Sequence, residues 1–289
     1  MNHTKLICAL PSPTAAAGLL VASALSAGCQ SLPGSDGPNL AQRRNLGSAW
    51  TASKGEPGWT FDVVAGLESE PDYAGSDDNA TEADLFARAL YEDSRGHRYF
   101  LSLGELGAWW KLGDDWALGT ILEFEPGRDN ENAALMGFDE VDDTVEGQVT
   151  LARRMGDWTV AAVLQPDVLG NGKGFVAFAA AAYDRMLTDS LRLGASADIS
   201  TGDSEHMSTE FGVNANGSAA SGLDRFKPDA GLKSATVDLG LEYFFRPGFS
   251  LLGGVSAEYY FSNAADSPLI AEEGSELTIE YLIGLRYSF

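Results

Sequence analysis

The chain has 289 residues, with 19 Lys and Arg against 42 Asp and Glu and a formal net charge of -23. That balance excludes nucleic acid as a partner, because nothing here could neutralise a phosphate backbone. With 33 glycines and recurrent aromatics, the composition suits short strands and turns better than helices.

The N-terminus reads as a secretory signal over residues 1–28. Lys5 precedes an apolar run from Ala15 to Ala27, followed by Gly28 and Cys29. The run is too short for a spanning helix, which needs about 20 apolar residues. No later stretch approaches that length, so any membrane insertion must use strands. Cys29 has two readings. Ser26-Ala27-Gly28-Cys29 resembles a lipoprotein cleavage box, but Leu25 stands four positions before the cysteine and the small residues also suit ordinary signal peptidase. The other cysteine, Cys8, lies within the signal, so the mature chain has no disulfide. Residues 29–57, rich in Pro, Gly, Ser and Asn, read as a flexible periplasmic segment.

From Trp59 a period-two pattern begins and keeps returning, placing alternate side chains on opposite faces. Trp59, Phe61, Val63, Ala65 and Leu67 share one face. Further strands are predicted at 85–91, 98–103, 106–112, 116–124, 145–151, 158–164, 175–183, 191–200, 237–245 and 249–261. The last, Leu277 to Phe289, sets Leu277, Ile279, Tyr281, Ile283, Leu285, Tyr287 and Phe289 on one face, and Phe289 suits barrel assembly. This makes about twelve strands, with ten as the lower count, in an all-β antiparallel outer-membrane barrel over residues 58–289. Links near Asp93, Gly113, Gly156, Arg185 and Arg246 read as short, whereas those after Glu68, Glu125, Thr201 and Ser262 read as long. Short periplasmic turns and long outer loops are the asymmetry of such barrels, with both termini periplasmic.

The polar faces carry Asp62, Glu68, Glu146, Arg192, Asp198, Asp238, Glu242, Glu258, Glu280 and Arg286. The opposite faces are almost uncharged and end in Trp59, Trp116, Trp158, Tyr183, Tyr243, Tyr259 and Tyr287, as an interfacial girdle would. The charged set is expected to line the lumen, which Phe244 and Tyr260 would narrow.

Several stretches resemble the MipA/OmpV family of MltA-interacting outer-membrane proteins. Glu70 to Asp78 contains Pro71, Tyr73, Gly75 and Ser76, like the family's Pro-x-Tyr-x-Gly-Ser segment. Phe211-Gly212-Val213 is followed by Ser221-Gly222-Leu223 and Asp229 to Leu232, and Ala264 to Ile270 contains Asp266, Ser267 and Pro268. The similarity runs from about Trp59 to Phe289. One departure is Glu210, where the family usually has tyrosine before Phe-Gly-Val; the other is the lipoprotein-like start. The motifs either hold loops over the barrel mouth through turn chemistry, or form a docking or gating surface. The resemblance implies a scaffold in the outer membrane of a Gram-negative bacterium, surrounded by lipid, bringing together a lytic transglycosylase and a penicillin-binding protein. With such short turns, residues 30–57 are the expected contact. The rival reading is a small channel or osmoregulated porin, cation-preferring because inward carboxylates outnumber Arg192 and Arg286.

No cofactor or metal is expected, since His3, His97 and His206 are scattered and the acidic loops lack regular ligand spacing. His206 and Ser208 raise the idea of a barrel lipase, but with no third partner they read as a solvated loop, and the protein as non-catalytic.

Overall fold

A computed structural model describes residues 57–289 apart from Asp129 and Glu131. The expected signal, Cys29 and the segment up to Glu56 lie outside the described residues. Twelve strands form one closed antiparallel barrel in which each strand pairs with its sequence neighbours and the first pairs with the last. They are β1 (Gly58–Pro71), β2 (Asn79–Glu92), β3 (Arg98–Ser102), β4 (Glu105–Lys111), β5 (Trp116–Glu125), β6 (Thr144–Met155), β7 (Trp158–Pro166), β8 (Phe175–Thr188), β9 (Leu191–Gly202), β10 (Gly231–Arg246), β11 (Phe249–Tyr260) and β12 (Leu277–Ser288). Closure lets the wall satisfy its backbone groups in lipid, where an open sheet could not.

Every strand read from the sequence is present, though several are longer than their alternation suggested. The β8–β9 turn lies at 189–190 rather than at Arg185, which sits within β8. The short connections all fall at one end of the barrel. The long ones, 72–78, 126–143, 167–174, 203–230 and 261–276, fall at the other, where only the β3–β4 link at 103–104 is tight. The long links carry a 3-10 turn (Ala133–Leu135) and four helices, α1 (Ser204–Phe211), α2 (Ala215–Ser221), α3 (Ser262–Ala265) and α4 (Pro268–Ala271). None of these helices is long and apolar enough to cross a membrane.

The outer face is apolar, as lipid contact demands. Val63, Leu67, Leu85, Leu239, Leu251, Ile283 and Leu285 all point outward and stay exposed. At the short-turn end a continuous run of ring contacts links Tyr91, Trp59, Phe61, Phe289, Tyr287, Phe249 and Phe245, with centroids 4.4 to 6.3 Å apart. This is the aromatic belt of a membrane interface. Of the strand-end aromatics, Tyr259 instead lies toward the long-loop end, against Phe261. The C-terminal residue closes the ring: Phe61 N–H donates to the Phe289 carbonyl at 2.9 Å and Phe289 N–H to the Phe61 carbonyl at 3.0 Å.

The wall is uneven. A membrane-crossing strand needs about 9–11 residues, but β3 has 5 and β4 has 7. Consequently β3 pairs with β2 only from Arg88 to Glu92, with one further bond from Leu103 N–H to the Ala87 carbonyl. Among the described residues no strand pairs with the other edge of β2 from Asn79 to Phe86. The wall is notched there, beside Glu82 and Asp84.

Candidate functional site

The interior has two unlike walls. On β3 to β8, Phe100, Trp109, Ile121, Val163, Val176 and Phe178 form a buried apolar cluster. Opposite it, on β8 to β12, β1 and β2, lies a chain of alternating charge. Asp184 accepts from Arg192 Nε at 2.8 Å, and Arg192 Nη1 stands 3.6 Å from Glu242 Oε2. Glu242 Oε1 is 3.1 Å from Arg286 Nη1, whose Nε is 3.2 Å from Asp62 Oδ1. Asp62 Oδ2 then meets Arg88 Nη2 at 2.9 Å. Ser250 donates to Glu242 at 2.6 Å, and Ser288 donates to Asp62. Asp62 and Glu242 are buried, so each carboxylate is held by opposite charge and hydroxyls, the condition for keeping an ion away from water.

Of the other lumen-directed charges, Glu258 faces Lys233 at 3.7 Å and accepts from the Tyr260 hydroxyl at 3.1 Å. Asp238 accepts from Ser196 at 2.5 Å, and Glu146 from Gln165. Asp198 and Glu280 are buried and Glu68 is half-buried. The interior therefore holds more positive charge than Arg192 and Arg286, because Arg88, Arg98 and Lys233 also turn inward. Arg98 pairs with Glu92 at 2.9 Å. Lys233 was hidden by a register shift between Leu232 and Ala235, which breaks strict alternation and buries Lys233 and Ser234 together. Neither expected narrowing residue sits in mid-lumen. Phe244 lines a 470 Å³ cleft at the short-turn rim with Met186, Asp189 and Arg246, and Tyr260 is buried under the loops.

The long loops pack into a cap. Tyr73, Leu135, Phe138, Val213, Leu223 and Leu269 make one buried cluster. Ala74, Met207, Phe211, Tyr260, Ala264 and Ile270 make another, in which Met207, Phe211 and Ala264 have no exposed surface. The three family-like stretches meet here. The Tyr73 hydroxyl donates to the Glu273 carbonyl at 3.0 Å, and burial leads the effects that push its pKa to about 12. Ser76 bridges to Gly274, and Gly75 accepts from Ser275 N–H at 2.7 Å. Gly75 has φ +84°, and a Cβ there would stand 2.5 Å from Ile270, so only glycine fits. The Ser267 hydroxyl donates to the Phe211 carbonyl at 2.7 Å and caps α4, with Pro268 in its first turn. Gly212 ends α1, and Gly222 ends α2 in the left-handed region at φ +85°. The Ser221 hydroxyl accepts from Leu223 N–H at 3.2 Å. Pro71 closes β1, and Asp72 accepts from Asn132 at 3.3 Å rather than from a backbone amide. The Asp266 backbone N–H donates to the Ser262 carbonyl at 2.8 Å.

Glu210, the departure from the family pattern, is buried and faces Arg128 at 3.5 Å, while Arg128 also donates to the Thr209 carbonyl at 2.9 Å. An acid at 210 thus ties the 126–143 loop to α1. His206 and Ser208 are not in a solvated loop. Asp203 caps α1, His206 is buried with Nδ1 3.0 Å from the Lys173 carbonyl, and Ser208 donates to the Ser204 carbonyl at 2.6 Å. The two side chains do not face each other as base and nucleophile must. Among the described residues no three His, Cys, Asp or Glu gather as a metal site would require.

Comparison with solved structures finds outer-membrane barrels at low similarity. The NanC porin shares 11% identity at a TM-score of 0.42, covering 78% of this chain and 98% of the other. The translocator domain of the autotransporter NalP from Neisseria meningitidis shares 12% at 0.38, covering 86% and 95%. An outer-membrane channel from Pseudomonas putida F1 shares 15% at 0.37, covering 81% and 96%. No curated protein matches the chain. The family model described as MltA-interacting protein MipA matches residues 63–289, from within β1 to the residue that closes the barrel. The chain belongs to the MipA family of outer-membrane β-barrel proteins.

Proposed function

We propose that this barrel is a non-catalytic scaffold that stays closed and holds a lytic transglycosylase and a penicillin-binding protein together for peptidoglycan biogenesis. The observation that carries this reading is the cap. Loops whose contact residues reach zero exposure are built as a fixed lid over the barrel end rather than as a mobile entrance. The family description names an interaction with MltA, and the penicillin-binding protein rests on the resemblance read in the sequence alone. In this reading the short-turn end and both termini face the periplasm. The turns there offer little surface, so the contact falls to the aromatic rim, its cleft at Met186, Phe244 and Arg246, and the chain preceding Gly58.

The test is cross-linking in membranes followed by purification of the barrel. Recovery of both enzyme classes supports the scaffold, and recovery of neither removes it. A second reading, a cation-preferring channel, draws on Glu82 and Asp84, which face inward beside the wall notch and remain water-accessible.

A further inference from the structure

We propose that the cleft between the β8–β9 and β10–β11 turns binds the headgroup of a zwitterionic phospholipid from the leaflet at the short-turn end, with Arg246 on its phosphate diester and Asp189 on its primary ammonium. The inference does not depend on partner binding. A headgroup held there forms part of the rim that any partner meets.

The first observation is where Arg246 points. Tyr243 and Phe245 face outward, so strict alternation along β10 would turn Arg246 inward. The pairing with β11 instead shifts between Phe244 and Arg246, and Phe245 and Arg246 together oppose Phe249. A bulge of this kind re-aims a side chain. Arg246 Cζ lies 3.8 Å from the centre of the Phe249 ring, and the Phe245 ring is 6.3 Å from the same ring. The guanidinium therefore stands on the lipid-facing aromatic belt, at headgroup level. Stacking occupies its flat face and leaves its in-plane N–H donors free, a fork that matches phosphate oxygens.

The second observation is charge. Asp189 lines the same cleft, yet among the described residues neither its side chain nor that of Arg246 makes an ion pair or a hydrogen bond. Their neighbours on β8 and β9 behave otherwise: Arg185 stands 3.7 Å from Asp157, and Arg192 donates to Asp184 at 2.8 Å. An arginine and an aspartate that share a cleft without joining suit a ligand that carries both opposite charges a short distance apart. Phosphoethanolamine does so, with an ethylene link between phosphate and ammonium. A purely anionic headgroup would satisfy Arg246 but set its charge against Asp189, which selects against it. The rest of the lining is exposed apolar surface from Met186, Phe244 and Phe245, suited to the glycerol and first acyl carbons. At 470 Å³ the cleft falls within the range of small-molecule sites, about 300–1,000 Å³.

Native mass spectrometry of the purified, folded barrel in dodecyl maltoside, with equimolar phosphatidylethanolamine and phosphatidylglycerol added, tests the site. The expected result is a single retained phosphatidylethanolamine, preferred over phosphatidylglycerol by about tenfold. Asp189→Asn should abolish that preference, and Arg246→Gln should lower retention of both lipids by about tenfold. Arg153→Gln is the control. Arg153 also stacks on an interfacial ring, 5.4 Å from Trp116, but lies outside the cleft, so its loss should leave retention and preference unchanged. Equal retention of the two lipids by the unaltered protein overturns the proposal. An equal fall in Arg153→Gln and Arg246→Gln also overturns it, by marking a general attraction of rim arginines for lipid.

Discussion

Phe61 and Phe289 exchange both of their backbone hydrogen bonds and stack their rings 5.3 Å apart, so the chain's last residue seals the seam between its first and last strands. Phe289→Ala keeps the backbone bonds but loses contacts to Phe61 and Tyr287. Such ring pairs contribute about 0.5–1.5 kcal/mol each. The folded barrel in detergent should therefore unfold at lower urea, by about 1–3 kcal/mol, and an unchanged midpoint would show the ring to be dispensable. Deleting Phe289 also removes the backbone bonds and should cut refolding yield further.

Asp62 joins two arginines across three strands. Asp62→Asn leaves Arg88 and Arg286 facing each other with no carboxylate between them, and removing one partner of a buried pair costs about 3–5 kcal/mol. Asp184→Asn, at the exposed end of the same belt, should cost less than about 1 kcal/mol. Urea titrations of both variants check the contrast; equal effects would mean that the belt is not a buried network.

Gly75 and Ile270 lock two loops of the cap. Gly75→Ala places a methyl against Ile270 in a backbone region that side chains avoid. Limited proteolysis should then cut the 72–78 and 261–276 loops faster while the barrel itself resists. Gly222→Ala, with open space around its Cβ, carries only the conformational cost of about 1 kcal/mol and should loosen α2 alone.

The 167–174 loop should respond to acid. Burial disfavours the Asp167 carboxylate, but bonds from the Thr144 hydroxyl and from the Lys173 and Gly170 amides outweigh it and hold its pKa below the ordinary 3.8. A depressed folded pKa gives stabilisation that is present above the unfolded value and lost as pH falls through the folded one. Proteolysis of this loop should thus be flat above pH 3.8 and rise below it. Asp167→Asn should be loose at every pH.

Much of the barrel could be read from sequence because lipid imposes one uniform demand on alternate residues. Leu277 to Phe289 satisfies that demand along its whole length. The pattern fades where the demand lapses: Thr81 and Ala83 are weak outward residues, and both Lys233 and Ser234 turn inward at a register shift. The loop motifs pointed to turn chemistry, but not to a shared core between α1, α3 and the 72–78 loop, because those contacts join residues far apart in the chain. Asp203 and Asn214, which cap α1 and α2, were available signals for those helices. Their apolar faces are too short to announce them. The ion pairs were beyond reach, since single-strand alternation fixes which way a charge points but not the register that selects its partner.

The most direct test of the closed-scaffold account is single-channel recording of the purified, refolded mature protein in a planar bilayer under a salt gradient. The account predicts a barrel that inserts and stays shut. Steady cation-selective openings, diminished by Glu258→Gln or Glu280→Gln, would contradict it and establish a channel.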